Sequence, residues 1–264
     1  MIMNKHIIYL IGLLLTVCAS KGYAQTEDED SFKPIHRVSA FLGMSTLTNA
    51  DDNLTGQVTV YGRHKTLFTN ITLRYDYFFK RNWGVYVEGF MPGSDGPKPS
   101  EWMPLMENNA KGYDYTYTGD ADKGNYTCSV ITVGADYRLP LSSLEILPSA
   151  GMGFSLYDTN NTIDYLRKEK GTNRVEHVET VFKHSHGRYH VLCFVPGISV
   201  LKYVGKRLSI AANVSYVVNL HSMSAEQRRS DAYTHEVLEN SSLSVHPGHF
   251  LRLGLGVSVQ LGKT

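Results

Sequence analysis

Charged residues of opposite sign recur at a spacing of two along this chain, which places both side chains on one face of a β-strand. Arg74 and Asp76 form one such pair, Asp136 and Arg138 form another, and Arg252 lies on a similar polar face near the C-terminus. Buried ions must pair or stay hydrated, because an unpaired buried ion costs several kcal/mol. The pattern predicts either an interior ion-pair network, which we favour, or a gated ion path.

Cysteines and histidines are the remaining candidates for chemistry. Cys128 and Cys193 fall on polar strand faces, and an oxidising compartment permits a disulfide between them if their Cα atoms lie within about 7 Å. Two separate thiols are the alternative. His184 and His186 share a strand face at a spacing that could hold a metal ion, but a polar loop explains them better. We therefore predict no catalytic residue, no metal site and no cofactor.

Eight segments alternate apolar and polar residues with the period of two that is typical of a β-strand. In the last of them every odd position from 251 to 261 is Leu or Val, and the even positions carry Arg, Gly, Ser and Gln. Pro148 and Pro196 lie inside two of the segments and indicate bulges or bends. The eight segments are 36–45, 67–78, 83–91, 126–139, 144–157, 189–202, 208–220 and 251–261.

The connections between these segments strictly alternate in length. Three are short, at 79–82, 140–143 and 203–207, and four are long and polar, at 46–66, 92–125, 158–188 and 221–248. Membrane barrels have short periplasmic turns and longer extracellular loops, whereas a soluble barrel has no reason to place every long loop at one end. The sequence predicts an all-β fold, an eight-stranded antiparallel up-and-down transmembrane β-barrel.

The polar faces of the predicted strands carry many glycines, which leave little side-chain volume inside such a barrel. We expect them to serve strand curvature and tight closure, with a small ligand cavity as the alternative. They are Gly134, Gly151, Gly153, Gly197, Gly254 and Gly256.

The N-terminus indicates export. Residues 1–24 combine a basic start, an apolar core and a small-x-small cleavage site, as in a secretory signal peptide. Lipidation at Cys18 is an alternative to cleavage after Ala24. We predict a periplasmic leader at 25–35 and a barrel domain at 36–264. The net charge of +1 indicates no nucleic-acid partner.

This architecture, together with the ending Gly-Leu-Gly-Val-Ser-Val-Gln-Leu at 254–261, resembles the small eight-stranded outer-membrane β-barrel family of the OmpX and OmpA-transmembrane type. The resemblance implies a Gram-negative outer membrane, contact with its lipid, insertion by the barrel-assembly machinery and a monomer. Family members generally end in an aromatic residue, whereas this chain ends in Gly262-Lys263-Thr264. Some related barrels modify lipid A, but the serines and histidines at 221–224 lack the His-x-Ser spacing of a deacylase.

We predict a structural or surface-interaction role for a barrel without an open pore, and no enzyme. The alternatives are a soluble periplasmic or secreted lipid-binding barrel and a lipid A-modifying enzyme. The best candidate surface for an extracellular ligand or protein is the connection 92–125, because aromatic and apolar anchors dominate interface energetics. Its candidate residues are Trp102, Met103, Leu105, Tyr113, Tyr115 and Tyr117.

Overall fold

A computed structural model describes residues 32–48, 67–93, 112–117, 127–158, 162–182 and 189–261. Within these ranges no helix is long and apolar enough to cross a membrane. The strands are β1 (Ile35–Thr48), β2 (Leu67–Phe78), β3 (Trp83–Gly93), β4 (Tyr113–Tyr117), β5 (Thr127–Tyr137), β6 (Leu139–Leu141), β7 (Leu144–Asp158), β8 (Thr162–Glu169), β9 (Val175–Phe182), β10 (Tyr189–Tyr203), β11 (Leu208–Asn219), β12 (Met223–Asp231), β13 (Val237–Val245) and β14 (His249–Leu261).

Eight long antiparallel strands close into a barrel. Their order around the wall is β1, β2, β3, β5, β7, β10, β11 and β14, and β14 pairs with β1 to complete the ring. The predicted eight-stranded up-and-down barrel is confirmed. The predicted fourth strand ran to Leu139, whereas β5 ends at Tyr137 because residues 139–141 fold back on β7 as the short strand β6.

The outer surface of the barrel is apolar, as the alternation predicts. Leu42 and Leu255 are both 69% exposed, and Ile71, Leu73 and Val257 are also exposed on the same outer surface. Monomeric soluble proteins rarely expose apolar patches larger than a few hundred Å². An encircling apolar belt of this kind faces the lipid of the outer membrane, so the soluble lipid-binding barrel is ruled out.

Aromatic residues ring the end of the barrel that carries the short turns. Trp83 and Tyr137 meet edge to face with their ring centroids 4.9 Å apart. The His36 ring accepts or donates a hydrogen bond of 2.6 Å at the Tyr75 hydroxyl and lies 4.9 Å from the Tyr77 ring. Amphipathic rings concentrate at membrane interfaces, so this end marks the periplasmic interface.

The two strand prolines do not shift the register. Pro196 lies opposite Ala150 in the pairing of β10 with β7, and Pro148 lies opposite Ile198 two residues further along. On the other side of β10, Val195 and Pro196 are unbridged to β11, yet the residue pairs before and after them keep the same register. Proline lacks the N–H that a ladder needs. Of the predicted bulges or bends, no bulge forms at Pro196: the register is kept and the sheet lacks the bridge between Pro196 and β11.

Three of the four long connections are not the irregular loops that the sequence predicts. They contribute β4, β8, β9, β12 and β13, which form a second antiparallel sheet in the order β13-β12-β9-β8-β4. We call it the extracellular sheet, because the long connections of a membrane barrel face outward. Its strands lack a clear apolar alternation in sequence.

Replacing Leu255 by Arg is expected to destabilise the barrel. A charged side chain on the lipid face near the membrane midplane costs about 2–4 kcal/mol, and the cost falls toward zero outside the membrane. The change in stability is measured by unfolding the protein with urea in lipid vesicles. The folded fraction at each urea concentration is determined from the mobility of unheated protein on detergent gels. Leu238→Arg on β13 is the matched control and should leave the midpoint unchanged. Equal losses in both variants would contradict the placement of the belt.

Candidate functional site

A central cluster of ion pairs crosses the middle of the barrel lumen. The Arg74 guanidinium donates to Asp76 Oδ1 at 2.7 Å, to Glu88 Oε2 at 3.4 Å and to Asp136. Arg252 of β14 donates to the second oxygen of Glu88 of β3. All five side chains are buried. The structure thus brings together Arg74, Asp76, Asp136 and Arg252, and adds Glu88, which the sequence analysis did not include.

Tyr86 fills the space that nearby glycines leave. The Arg74 guanidinium lies 3.8 Å from the centroid of the Tyr86 ring, a cation–π contact. A Cβ atom at Gly134 would come within 2.6 Å of the ring, and one at Gly151 would collide with the Tyr86 hydroxyl. At this level the glycines make room for an aromatic side chain, so they do not open a ligand cavity here.

A second, lower cluster lies toward the periplasm. Glu145 accepts from Arg138 Nε at 2.7 Å and from the Tyr203 hydroxyl at 2.6 Å, and its other oxygen is 2.6 Å from Arg37 Nη2. Arg138 therefore does not join Asp136, although the two are only two residues apart. Arg138 lies just beyond the end of β5, where its N–H bonds to the turn at Asn82. Arg37 and Glu145 were missed, although both lie on the polar faces of alternating strands.

The periplasmic side of the lumen is also closed by apolar packing. Phe32 and Ile35, which the sequence places in the periplasmic leader, pack against a group of buried apolar side chains. The last part of the leader therefore belongs to the folded barrel. The buried members of the group are Phe41, Phe78, Leu147, Leu201 and Ala211.

Asn219 of β11 joins β7 and the turn before β14 at the extracellular end of the lumen. Its side-chain oxygen accepts from the Ser155 hydroxyl at 2.7 Å, and its amide donates to the Tyr157 hydroxyl at 2.8 Å and to the Gly248 carbonyl at 2.7 Å. The residue is 2% exposed. Side chains therefore cross the described lumen at three levels.

The charges inside the described part of the lumen balance. Four arginines face four carboxylates, and each ion pairs with at least one ion of opposite sign. Balanced, paired charges avoid the large cost of an isolated buried ion. They are Arg37, Arg74, Arg138, Arg252, Asp76, Glu88, Asp136 and Glu145.

Of the two possibilities for Cys128 and Cys193, the structure has two separate thiols rather than a disulfide. Both cysteines are buried thiols. Cys128 pairs with Tyr157 of β7, and Cys193 pairs with Gly153 on the opposite edge of the same strand. Four residues along a strand span about 13 Å, well beyond the roughly 7 Å that a disulfide allows between Cα atoms.

A row of charged side chains crosses the extracellular sheet. Glu176 of β9 accepts from Arg167 of β8 at 2.8 Å and from Arg229 of β12 at 2.9 Å. Arg229 also bonds to Glu239 of β13, and Arg167 lies 4.4 Å from the centroid of the Tyr113 ring on β4. This row therefore links all five strands, and so ties three surface connections into one body.

Glu176 is the centre of this row. Its side chain is 2% exposed, and Arg174 adds a third guanidinium at 3.3 Å. Burial alone disfavours the charged carboxylate, but hydrogen bonds from Arg167 and Arg229 outweigh it and lower the pKa of Glu176 below its ordinary value. The carboxylate therefore stays ionised at neutral pH.

The predicted interaction residues separate into two groups. Trp102, Met103 and Leu105 lie outside the described residues, as do His184 and His186. Tyr113, Tyr115 and Tyr117 form strand β4, which pairs with β8 from Tyr113 opposite Glu169 to Tyr117 opposite Tyr165. In the ranges that the structure describes, no group of three His, Cys, Asp or Glu side chains could hold a metal ion.

A comparison with solved structures finds similar outer-membrane proteins. Similar structures include Ail, the attachment invasion locus protein of Yersinia pestis (11% identity, TM-score 0.43, covering 87% of this chain and 100% of Ail). The outer-membrane protease OmpT of Escherichia coli also matches (8% identity, TM-score 0.42, covering 89% and 100%). So does a major outer-membrane protein of Thermus thermophilus (11% identity, TM-score 0.42, covering 87% and 100%). No protein-family model and no curated protein matches the chain.

Replacing Glu88 by Leu should destabilise the barrel by roughly 3–5 kcal/mol, because Arg252 loses its carboxylate while it stays buried. Adding Arg252→Met removes that orphaned charge, so the double variant should be more stable than the sum of the two single losses predicts. Urea unfolding in lipid vesicles provides the free energies for this cycle. The control is a second cycle that combines Arg252→Met with Glu145→Leu in the lower cluster. In this cycle the losses of unfolding free energy from the two single variants should add. Additivity in both cycles would contradict the central cluster.

Replacing Glu176 by Gln should loosen the extracellular sheet and leave the barrel intact. The loss of charge-assisted hydrogen bonds should weaken the sheet by roughly 2–3 kcal/mol. Because the folded pKa is lowered, the contribution of Glu176 is present above about pH 4.3 and is lost as pH falls through the folded value. Hydrogen exchange in β8, β9 and β12 measures the effect, with exposed Glu236→Gln as control. Unchanged exchange in the E176Q variant would contradict this role.

Proposed function

We propose that this protein is a closed outer-membrane barrel that presents the extracellular sheet as a rigid surface for binding an extracellular ligand or protein. The observation that carries the proposal is the row from Tyr113 to Glu239, which fixes strands from three separate connections as one sheet. A preorganised surface binds with less loss of conformational entropy than mobile loops do. A barrel that served only as an envelope support would gain nothing from such a sheet.

The filled lumen supports a role outside the barrel rather than through it. Eight strands enclose a space that side chains can fill, and the central and lower clusters cross that space from wall to wall. Each cluster is buried and internally paired, so opening a path would require breaking several ion pairs at once. We therefore infer that the lumen carries no constitutive ion flow.

One edge of the extracellular sheet offers hydrogen-bonding groups to a partner. In the described residues, β13 pairs with β12 on one side, and no strand pairs with its other side. An unpaired edge is a template for another extended chain unless Pro, Lys or a bulge blocks it. β13 contains neither Pro nor Lys, and its one ionisable side chain, Glu239, is already paired with Arg229. The one register shift in its pairing with β12 lies at its start, at Leu238, so the strand from Glu239 to Val245 is regular. Val237 and Leu238 are exposed at its start.

Binding accounts for the site better than catalysis does. The rings of His221 and His246 bond to main-chain groups, and His249 accepts from a main-chain N–H. A serine hydrolase needs a histidine that contacts its nucleophile. No observed contact of these three rings supports the lipid A-modifying alternative.

The test is a variant in which residues 223–245, the β12–β13 hairpin, are replaced by a two-residue Asn-Gly turn. Cells that display the intact chain should bind at least one probe from a panel of matrix proteins and heparin in a solid-phase assay, and the variant should lose that binding. Lys206→Gln, at an exposed position in the short turn between β10 and β11, is the control and should bind normally. Failure of the intact chain to bind any probe would contradict the proposed surface role.

The intact chain and the hairpin variant, once purified, also test whether the lumen conducts ions. Neither the intact chain nor the hairpin variant should give a stable conductance in planar bilayers, because the ion-pair clusters lie below the removed hairpin. A porin in the same bilayer shows that the recording detects channels. A stable, large conductance from the intact chain would contradict the closed barrel without bearing on the binding surface.

A further inference from the structure

Two histidines hold the turn between β13 and β14 onto the rim of the barrel. The main-chain N–H of Asn219 donates to His249 Nδ1 at 3.1 Å. His246 Nε2 lies 3.3 Å from the Asn219 carbonyl, and His246 Nδ1 accepts from the Gly248 N–H at 3.0 Å. The two rings stand edge to face with their centroids 5.0 Å apart. This group of Asn219, His246, Gly248 and His249 is called the latch below.

The geometry requires both imidazoles to be neutral. Each Nδ1 faces a main-chain N–H, so each must present a lone pair, and a protonated ring has no acceptor nitrogen. Protonation would place an N–H donor against another N–H donor at His246 and again at His249. It would also set two positive rings side by side at 5.0 Å. The latch is therefore stable only while both rings are uncharged.

The neighbours of the latch are hydroxyl groups, aromatic rings, main-chain carbonyls and one further histidine. Tyr216 of β11 lies with its ring 6.0 Å from that of His249, and Thr48 of β1 donates to the His249 carbonyl. Tyr157 of β7 reaches the latch through the Asn219 side chain, and His221 bonds to the carbonyl of His190. Among the described residues, neither latch histidine forms an ion pair with a carboxylate.

The latch controls two parts of the molecule. The turn Pro247-Gly248 is buried and connects the extracellular sheet to the barrel wall, and Gly248 adopts a φ of 77°, which favours glycine. The Gly248 carbonyl also accepts from the Asn219 side chain that bridges Ser155 and Tyr157 inside the lumen. Release of the turn would therefore loosen both the sheet and the upper closure of the lumen.

We propose that His246 and His249 form an acid-sensitive latch: neutral rings hold the β13–β14 turn on Asn219, and their protonation frees the turn and loosens the extracellular mouth of the barrel. Acidification of the extracellular medium supplies the protons, so the latch opens in an acidic medium and stays closed in an alkaline one. This regulation stands apart from the binding role, because it depends on contacts of the rim and not on a partner.

Hydrogen exchange of the full chain in phospholipid nanodiscs tests the latch. Protection of the Asn219 amide, corrected for intrinsic exchange rates, should fall at least tenfold between pH 8 and pH 5. In the double variant H246N/H249N each Asn Oδ1 can replace an Nδ1 acceptor without titrating, so protection should no longer depend on pH. His36→Asn, at the periplasmic end, is the matched control and should keep the response.

Constant protection in the native chain, or a response that survives in H246N/H249N, would overturn the proposal. If the double variant fails to form a barrel, nitrogen NMR of the imidazoles in the native chain decides instead. Both rings should show an unprotonated Nδ1 at pH 8, and both should become cationic over the range in which Asn219 loses protection. Rings that remain neutral at pH 5 would refute the latch.

Discussion

The seam between β1 and β14 is the contact on which the rest of this structure depends. Lipid offers no hydrogen-bond partner, so a sheet can span a membrane only if every strand edge inside it is paired. The seam runs from His36 opposite Leu261 to Thr48 opposite His249. A Cβ atom at Gly43 would collide with the Leu253 carbonyl, so this close approach depends on glycine. The N-terminal and C-terminal strands must therefore meet before the barrel is complete.

In a closed barrel that spans lipid, the distribution of apolar and polar side chains is the reverse of that in a soluble protein. The apolar positions face the membrane, and the polar positions have no water to face except within the lumen. An eight-stranded barrel leaves little room for that water, so charges such as Arg74 and Arg252 must find partners among themselves. Glu88 contacts both arginines, and Glu145 does the same for Arg37 and Arg138. The lumen is therefore packed and closed for the same reason that the outside is apolar.

The extracellular sheet follows different rules because it lies in water. Its strands are not surrounded by lipid, and among the described strands β13 has a partner on one side only. Cross-strand ion pairs around Glu176 connect its strands. The turn at Pro247-Gly248 joins this sheet to the barrel, and the histidines on either side of it make that joint dependent on neutral rings.

The barrel itself could be predicted because each of its strands repeats one physical requirement. Period-two alternation in β2 or β14 follows directly from lipid on one face and lumen on the other, and the alternation of short and long connections follows from the two sides of the membrane. The inward orientation of Arg74, Asp136 and Arg252 was predictable for the same reason. In contrast, β12 buries the polar side chains of Gln227 and Ser230 as well as Met223, so no alternation of apolar and polar residues marks it.

The sequence by itself determined where this protein lies, how many strands cross the membrane and which side chains face the lumen. Only the tertiary structure decided which of these side chains meet. Strand register sets that outcome: Arg138 joins Glu145 rather than Asp136, and Cys128 and Cys193 lie at different heights on the two edges of β7. The partnership of His246 and His249 with Asn219 likewise depends on how a turn folds over the rim. Register and turn geometry arise from contacts between distant segments, which no local pattern of residues records.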